Sequence, residues 1–138
     1  MSYSQTLLSL GAITIFMYLS ISVNRSYLLA TEQTVDHQLE LDAINYGNSV
    51  SELMYSQIKN YATLDANYGG FSNINNPINR LNFTTSIRNE LSATITLSAE
   101  QEVLQGVNGR VATITVYAWE NGIPIQKTQH LAPIIALQ

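Results

Sequence analysis

The chain reads as an α+β protein, a long N-terminal helix laid on a three-stranded antiparallel β-meander, and three features of its 138 residues lead there. The first 24 residues carry no charged side chain and run on, without a proline before Pro77, into a stretch that keeps helical spacing. The last third alternates apolar with hydroxyl-bearing residues, the period of a half-buried strand. That same third holds two Asn-Gly pairs, each a strong short-range hairpin signal.

The helix comes first. Residues 7–23 (LLSLGAITIFMYLSISV) are apolar apart from glycine and small hydroxyl residues, and at about 1.5 Å per residue the uncharged stem is long enough to cross roughly 30 Å of hydrocarbon. Beyond Arg25, Leu28, Val35, Leu39, Tyr46, Val50, Leu53 and Leu64 recur at helical spacing, flanked by Met54, Ile58 and Tyr61, which predicts an amphipathic continuation. Residues 45–48 (NYGN) interrupt the stripe, and Ser49 followed by Glu52 has the form of a capping box. A kink or break near Gly47 is expected there, then a second helical segment to about Tyr61.

Residues 65–82 (DANYGGFSNINNPINRLN) are rich in Asn and Gly, which favours turns over regular structure. The organisation is therefore an apolar stem over 1–24, an amphipathic helix over 25–64, an Asn-rich loop over 65–90 and an antiparallel sheet over 91–138, with 25–138 forming one globular domain.

In the sheet, Leu91, Ala93, Ile95, Leu97 and Ala99 alternate with Ser92, Thr94, Thr96 and Ser98, and residues 111–120 (VATITVYAWE) are β-branched and aromatic. A turn at Asn108-Gly109 pairs Val107 with Arg110, Val103 with Ile114 and Ala99 with Ala118. A turn at Asn121-Gly122 pairs Glu120 with Ile123 and Ala118 with Ile125, and sets Lys127 beside Val116. The final strand then reads as an edge, where Pro124 is tolerated.

Composition removes several classes of function. A net charge of −4 with only six scattered basic residues offers no footprint for a phosphate backbone, so no direct nucleic-acid partner is expected. Without cysteine there is no disulfide framework, thiolate metal site or thiol nucleophile. No nucleophile elbow, phosphate loop or dinucleotide fingerprint occurs, and the reading is of a non-enzyme without catalytic residues, metal or cofactor.

The remaining candidates have plain alternatives. Glu32, Asp36 and Glu40 stand four apart on one helical stripe, a like-charge spacing that a cation or a neighbour's Arg80, Arg88 or Arg110 would relieve; solvated carboxylates are the simpler account. Residues 65–70 open like a calcium loop, but the twelfth position is Asn76 rather than a bidentate Glu. His37 and His130 are isolated, without metal-ligand spacing. Tyr117 and Trp119 share the face opposite Ile114 and Val116, where packing is the expected role. Asn24-Arg25-Ser26 and Asn82-Phe83-Thr84 match the glycosylation sequon, a pattern common by chance.

The stem lacks the basic n-region and small-x-small exit of a cleaved signal peptide. Arg25 on its C-terminal flank favours keeping that flank in the cytoplasm. The conflict with export dissolves if Met1 is the first residue left after removal of a basic leader.

A processed Met1, an uncharged helical stem, an amphipathic continuation, a variable loop and a small antiparallel sheet together resemble the plan of type IV pilins and pseudopilins. The match in sequence character is confined to residues 1 to about 27. Gln5 stands where the family carries glutamate, and Ser22 where it usually has a helix-bending proline. The resemblance implies a structural filament subunit, held in the inner membrane as a precursor and then displayed extracellularly. It also implies processing by a prepilin peptidase, handling by the assembly machinery, and adhesion or motility as properties of the polymer.

Outside lipid the stem exposes more apolar surface than a soluble monomer tolerates and must be buried somewhere, against copies of itself in the filament reading or in lipid as a lone anchor in the plainer one. The residues assigned to assembly are Met1, Gln5, Leu7, Leu8, Leu10, Gly11, Ile13, Ile15, Phe16, Leu19 and Val23. Ser4, Ser9, Gly11, Ala12, Thr14, Ser20 and Ser22 are small residues that permit close helix approach. A minor pseudopilin of a secretion or DNA-uptake machine, and a membrane-anchored periplasmic binding domain, are the alternatives.

Overall fold

A computed structural model describes residues 2–85 and 89–136, and the chain divides into two compact units, Met1–Gln38 and Leu39–Gln138. Helix α1, Tyr3–Tyr55, contributes to both. It passes through Gly47 without interruption, so the expected kink is absent. Gly47 is buried, and a Cβ placed on it would collide with the imidazole of His130. The glycine therefore serves a close approach of helix to sheet, a gain that outweighs its cost of about 1 kcal/mol relative to alanine in a helix. Ser49 and Glu52 form no cap, since the Ser49 hydroxyl donates back to the Asn45 carbonyl at 3.0 Å.

Within the second unit α1 buries Leu39, Ala43, Gly47, Val50, Ser51 and Met54, one stripe at steps of three and four. Leu28 and Val35, expected to extend that stripe, are exposed in the first unit. After Tyr55 the chain tightens into a 3-10 segment, Ser56–Thr63, broken at Asn60, and then a short helix α2, Leu64–Tyr68, whose Leu64 is buried.

The sheet has five strands rather than three: β1 (Leu81–Thr84), β2 (Glu90–Leu97), β3 (Gln101–Leu104), β4 (Val107–Glu120) and β5 (Ile123–Ile135). Strand β4 is its spine, flanked on one side by β2 and β3 and on the other by β5, while β1 borders β2, all antiparallel. The extra strands arise because β2 stops at Leu97 and because β1 forms inside the segment read as an Asn-rich loop.

The expected turn at Asn108-Gly109 lies inside β4. The chain reverses instead at Gln105-Gly106, where Gly106 takes φ 77° and its N–H donates to Glu102 Oε1 at 2.6 Å. Ile95 therefore faces Ile114 and Leu91 faces Ala118, in place of the expected Val103 and Ala99. The slip is an even number of residues, so Leu91, Ala93 and Ile95 keep the face of Ala112, Ile114, Val116 and Ala118.

The Asn121-Gly122 turn forms as expected, with φ 52° and 77° and Glu120 opposite Ile123 and Ala118 opposite Ile125. A bulge between Val116 and Tyr117 then shifts the register, so Thr128 rather than Lys127 meets Val116 and Ala132 meets Ala112. The bulge puts Ala132 and Ile134 in the core with the buried stripe of α1, Leu64 and the inward residues of β2 and β4. Strand β5 is an edge strand and carries both Pro124 and Pro133.

Candidate assembly surface

The start of α1 is closed locally. Ser2 Oγ accepts from the Gln5 N–H at 3.4 Å and Gln5 Oε1 accepts from the Ser2 N–H at 3.3 Å, the reciprocal pair of a capping box. The spacing Ser2-x-x-Gln5 is itself a capping-box pattern, so the residue at the fifth position closes the first turn of its own helix. The Thr6 and Thr14 hydroxyls donate to the carbonyls of Ser2 and Leu10, at 3.2 and 2.8 Å. Such internal closure suits a helix surface that meets hydrocarbon or another helix rather than water.

Every residue from 2 to 38 is exposed. Gln5, Leu7, Leu8, Leu10, Gly11, Ile13, Ile15, Phe16, Leu19 and Val23 all lie on this stretch, and Met1 falls outside the described residues. Exposure reaches 76% at Leu8 and 71% at Phe16, and it occurs on all sides of the helix. One stretch of α1 is long and apolar enough to cross a membrane, and none of it is buried within the chain. Nothing touches the face over Gly11, which leaves room for close approach by another backbone.

The exposed helix is longer than the stem inferred from charge alone. Tyr27, Leu28, Leu29 and Val35 remain uncovered past Arg25, beside the carboxylates Glu32 and Asp36. Two of the arginines considered as relief for those carboxylates are engaged elsewhere. Arg110 Nη1 meets Asp65 Oδ2 at 2.6 Å and its Nε donates to the Ser98 carbonyl at 2.6 Å. Arg80 stacks 4.3 Å from the centroid of the Trp119 ring and donates to the Ile74 carbonyl and Asn82 Oδ1, both at 2.8 Å. Arg88 lies outside the described residues.

The hydrogen bond from Arg110, followed by its charge, holds the Asp65 carboxyl below the ordinary carboxylate range, and Asp65 correspondingly raises Arg110. The opening of the calcium-like loop is thus committed to an ion pair. His37 is exposed, and His130 Nε2 lies 3.2 Å from Thr128 Oγ1 beneath Gly47. Among the described residues no group of three acidic or histidine side chains is placed to hold a metal ion.

Trp119 Nε1 donates to Ser92 Oγ at 2.8 Å, and Ser92 in turn donates to Asn82 Oδ1 at 2.9 Å. With Arg80 over the indole, this closes a polar network on the sheet face away from the core, so Trp119 and the sequon residue Asn82 act in packing. A shallow cleft beside the sheet is lined by Asp42, Asn45, Tyr46, Ser49, Phe83 and Thr85. Tyr46 stacks on Phe83 there at 5.0 Å between centroids, and burial raises the Tyr46 phenol.

In comparisons with known proteins, no family model, no curated protein and no solved structure matched the chain.

Proposed function

We propose that the chain is the structural subunit of an extracellular filament of type IV pilus-like plan, polymerising through the N-terminal part of α1. The observation that carries this reading is the complete exposure of residues 2–38 in a continuous helix whose first 24 positions lack charge. Lipid satisfies that surface before assembly. Copies of the same helix satisfy it afterwards, and heterologous contacts repeated with a non-closing rotation generate a fibre rather than a ring. The globular unit forms the outer wall, and neither catalysis nor a cofactor is required of it.

Several features support a mechanical role. The helix–sheet plan resembles that of pilins, and the first turn is satisfied by Ser2 and Gln5 without a partner's charge. Processing at Met1 by a prepilin peptidase and passage through an assembly machine belong to the same proposal.

Shearing cells that express the chain, then imaging the released material by negative stain and identifying its main band by mass spectrometry, tests it. Thin filaments composed of this chain are the expected result. Full-length protein that stays monodisperse in detergent-free buffer overturns it.

A further inference from the structure

Arg25, Glu32 and Asp36 form a self-complementary set on the exposed helix. Counting about 100° per residue, Glu32 lies about 20° to one side of Arg25 around the axis and Asp36 about 20° to the other. All three therefore share a face. Along the axis they are about 10.5 and 16.5 Å from Arg25 at 1.5 Å per residue, too far for an ion pair within one straight helix. Among the described residues the ion pairs are Arg110 with Asp65 and Lys127 with Glu120, and none of these three side chains takes part.

The other basic residues do not compete on this face. Arg80, Arg110 and Lys127 are held inside the globular unit, Lys59 belongs to the 3-10 segment of that unit, and Arg88 lies outside the described residues. Glu32 and Asp36 meanwhile stand one helical turn apart with like charge, which costs the helix stability until a cation sits between them. The same face carries exposed Leu29, whose burial accompanies any helix docked there.

We propose that Arg25 of each copy docks between Glu32 and Asp36 of a second copy of this chain, parallel to it and displaced along the axis by seven to eleven residues, about 10 to 17 Å. The inference rests on the filament reading and adds its register. An antiparallel pair satisfies the same charges but closes on itself. Stems that enter one membrane in one direction exclude it. In the parallel arrangement each copy offers an unused Arg25 at one end and an unused acidic pair at the other, so the contact propagates without closing.

The absence of cysteine makes a clean test available. The double variant Y18C/L29C, which keeps Arg25, Glu32 and Asp36 and places two thiols on the same face about eleven residues apart, is expected to yield a denaturant-resistant ladder through trimer and beyond when treated with a short bismaleimide in intact cells. Y18C/Y27C, with the second thiol about 180° around the helix, is expected to yield none. R25E is expected to lower sheared filament at least tenfold, and R25E/E32R/D36R to restore it.

A product that stops at dimer, a ladder equally strong from Y18C/Y27C, or full filament yield from R25E overturns the register while leaving the filament reading intact. No filament from the unaltered chain removes both. Anti-chain blotting of the membrane fraction confirms that each variant is made and inserted.

Discussion

At the scale of single residues, the structure explains positions whose chemistry is otherwise puzzling. Gly47 is the clearest, because a helical glycine beside an asparagine pattern resembles a break, whereas its role is to admit the His130 ring. No local signal distinguishes the two uses, since the partner lies more than eighty residues away along the chain. Gly47→Val is expected to destabilise the fold by about 1–3 kcal/mol through overpacking, measured by urea unfolding of the full chain in detergent with Trp119 as the fluorescent reporter. Combining Gly47→Ala with His130→Ala is expected to recover most of the loss caused by Gly47→Ala alone, as residues in contact couple. Asp65 supplies a pH-dependent contribution of predictable sign. Its folded pKa is depressed by Arg110, so the stabilisation is present above the unfolded value of about 3.9 and is lost as pH falls through the lower folded value. Asp65→Asn is expected to lower stability slightly at neutral pH, by the small amount an exposed pair contributes, and to converge on the unaltered chain as pH falls below about 4, so that the acid-side fall is correspondingly flatter.

Elements show where short-range patterns suffice and where they do not. Asn121-Gly122 set the β4–β5 turn because a type I′ turn needs positive φ at both centres, and this pair supplies it. Asn108-Gly109 carried the same local signal but lost to a longer pairing, in which residues 91–97 align with 112–118 on both sides of an apolar face. Gly109 instead lets the Ile134 carbonyl approach closely. The bulge at Lys127 left no mark in the alternation, since it only becomes necessary once Ala132 and Ile134 have a core to fill. Strand β5 is a long edge, and Pro124 and Pro133 each remove a donor from it. Replacing both by threonine is expected to raise association of detergent-solubilised chain several-fold by sedimentation velocity, with the rise persisting when the stem is mutated. An unchanged sedimentation profile means that the bulge and side chains alone protect the edge.

For the molecule as a whole, the α+β class was legible because it depends on charge and periodicity summed over many residues. The end of the exposed helix was not legible, because Leu28 and Val35 continue the apolar stripe that Leu39 and Val50 bury, and only the position of the sheet decides which of them is covered. That division has a consequence for stability. No residue from 2 to 38 is buried, so the stem contributes nothing to the core and is free to be selected for assembly alone. Phe16→Lys is therefore expected to leave the unfolding free energy read from the Trp119 signal in urea within about 0.5 kcal/mol of the unaltered chain, as surface substitutions do. In a hydrocarbon environment the same lysine costs about 2.5–3.5 kcal/mol per copy, and every copy carries it at a repeating contact. Filament yield after shearing is expected to fall to background while the globular unit stays folded. A variant that unfolds instead of merely failing to polymerise would show that the stem supports the core, and the separation of the two roles would have to be abandoned.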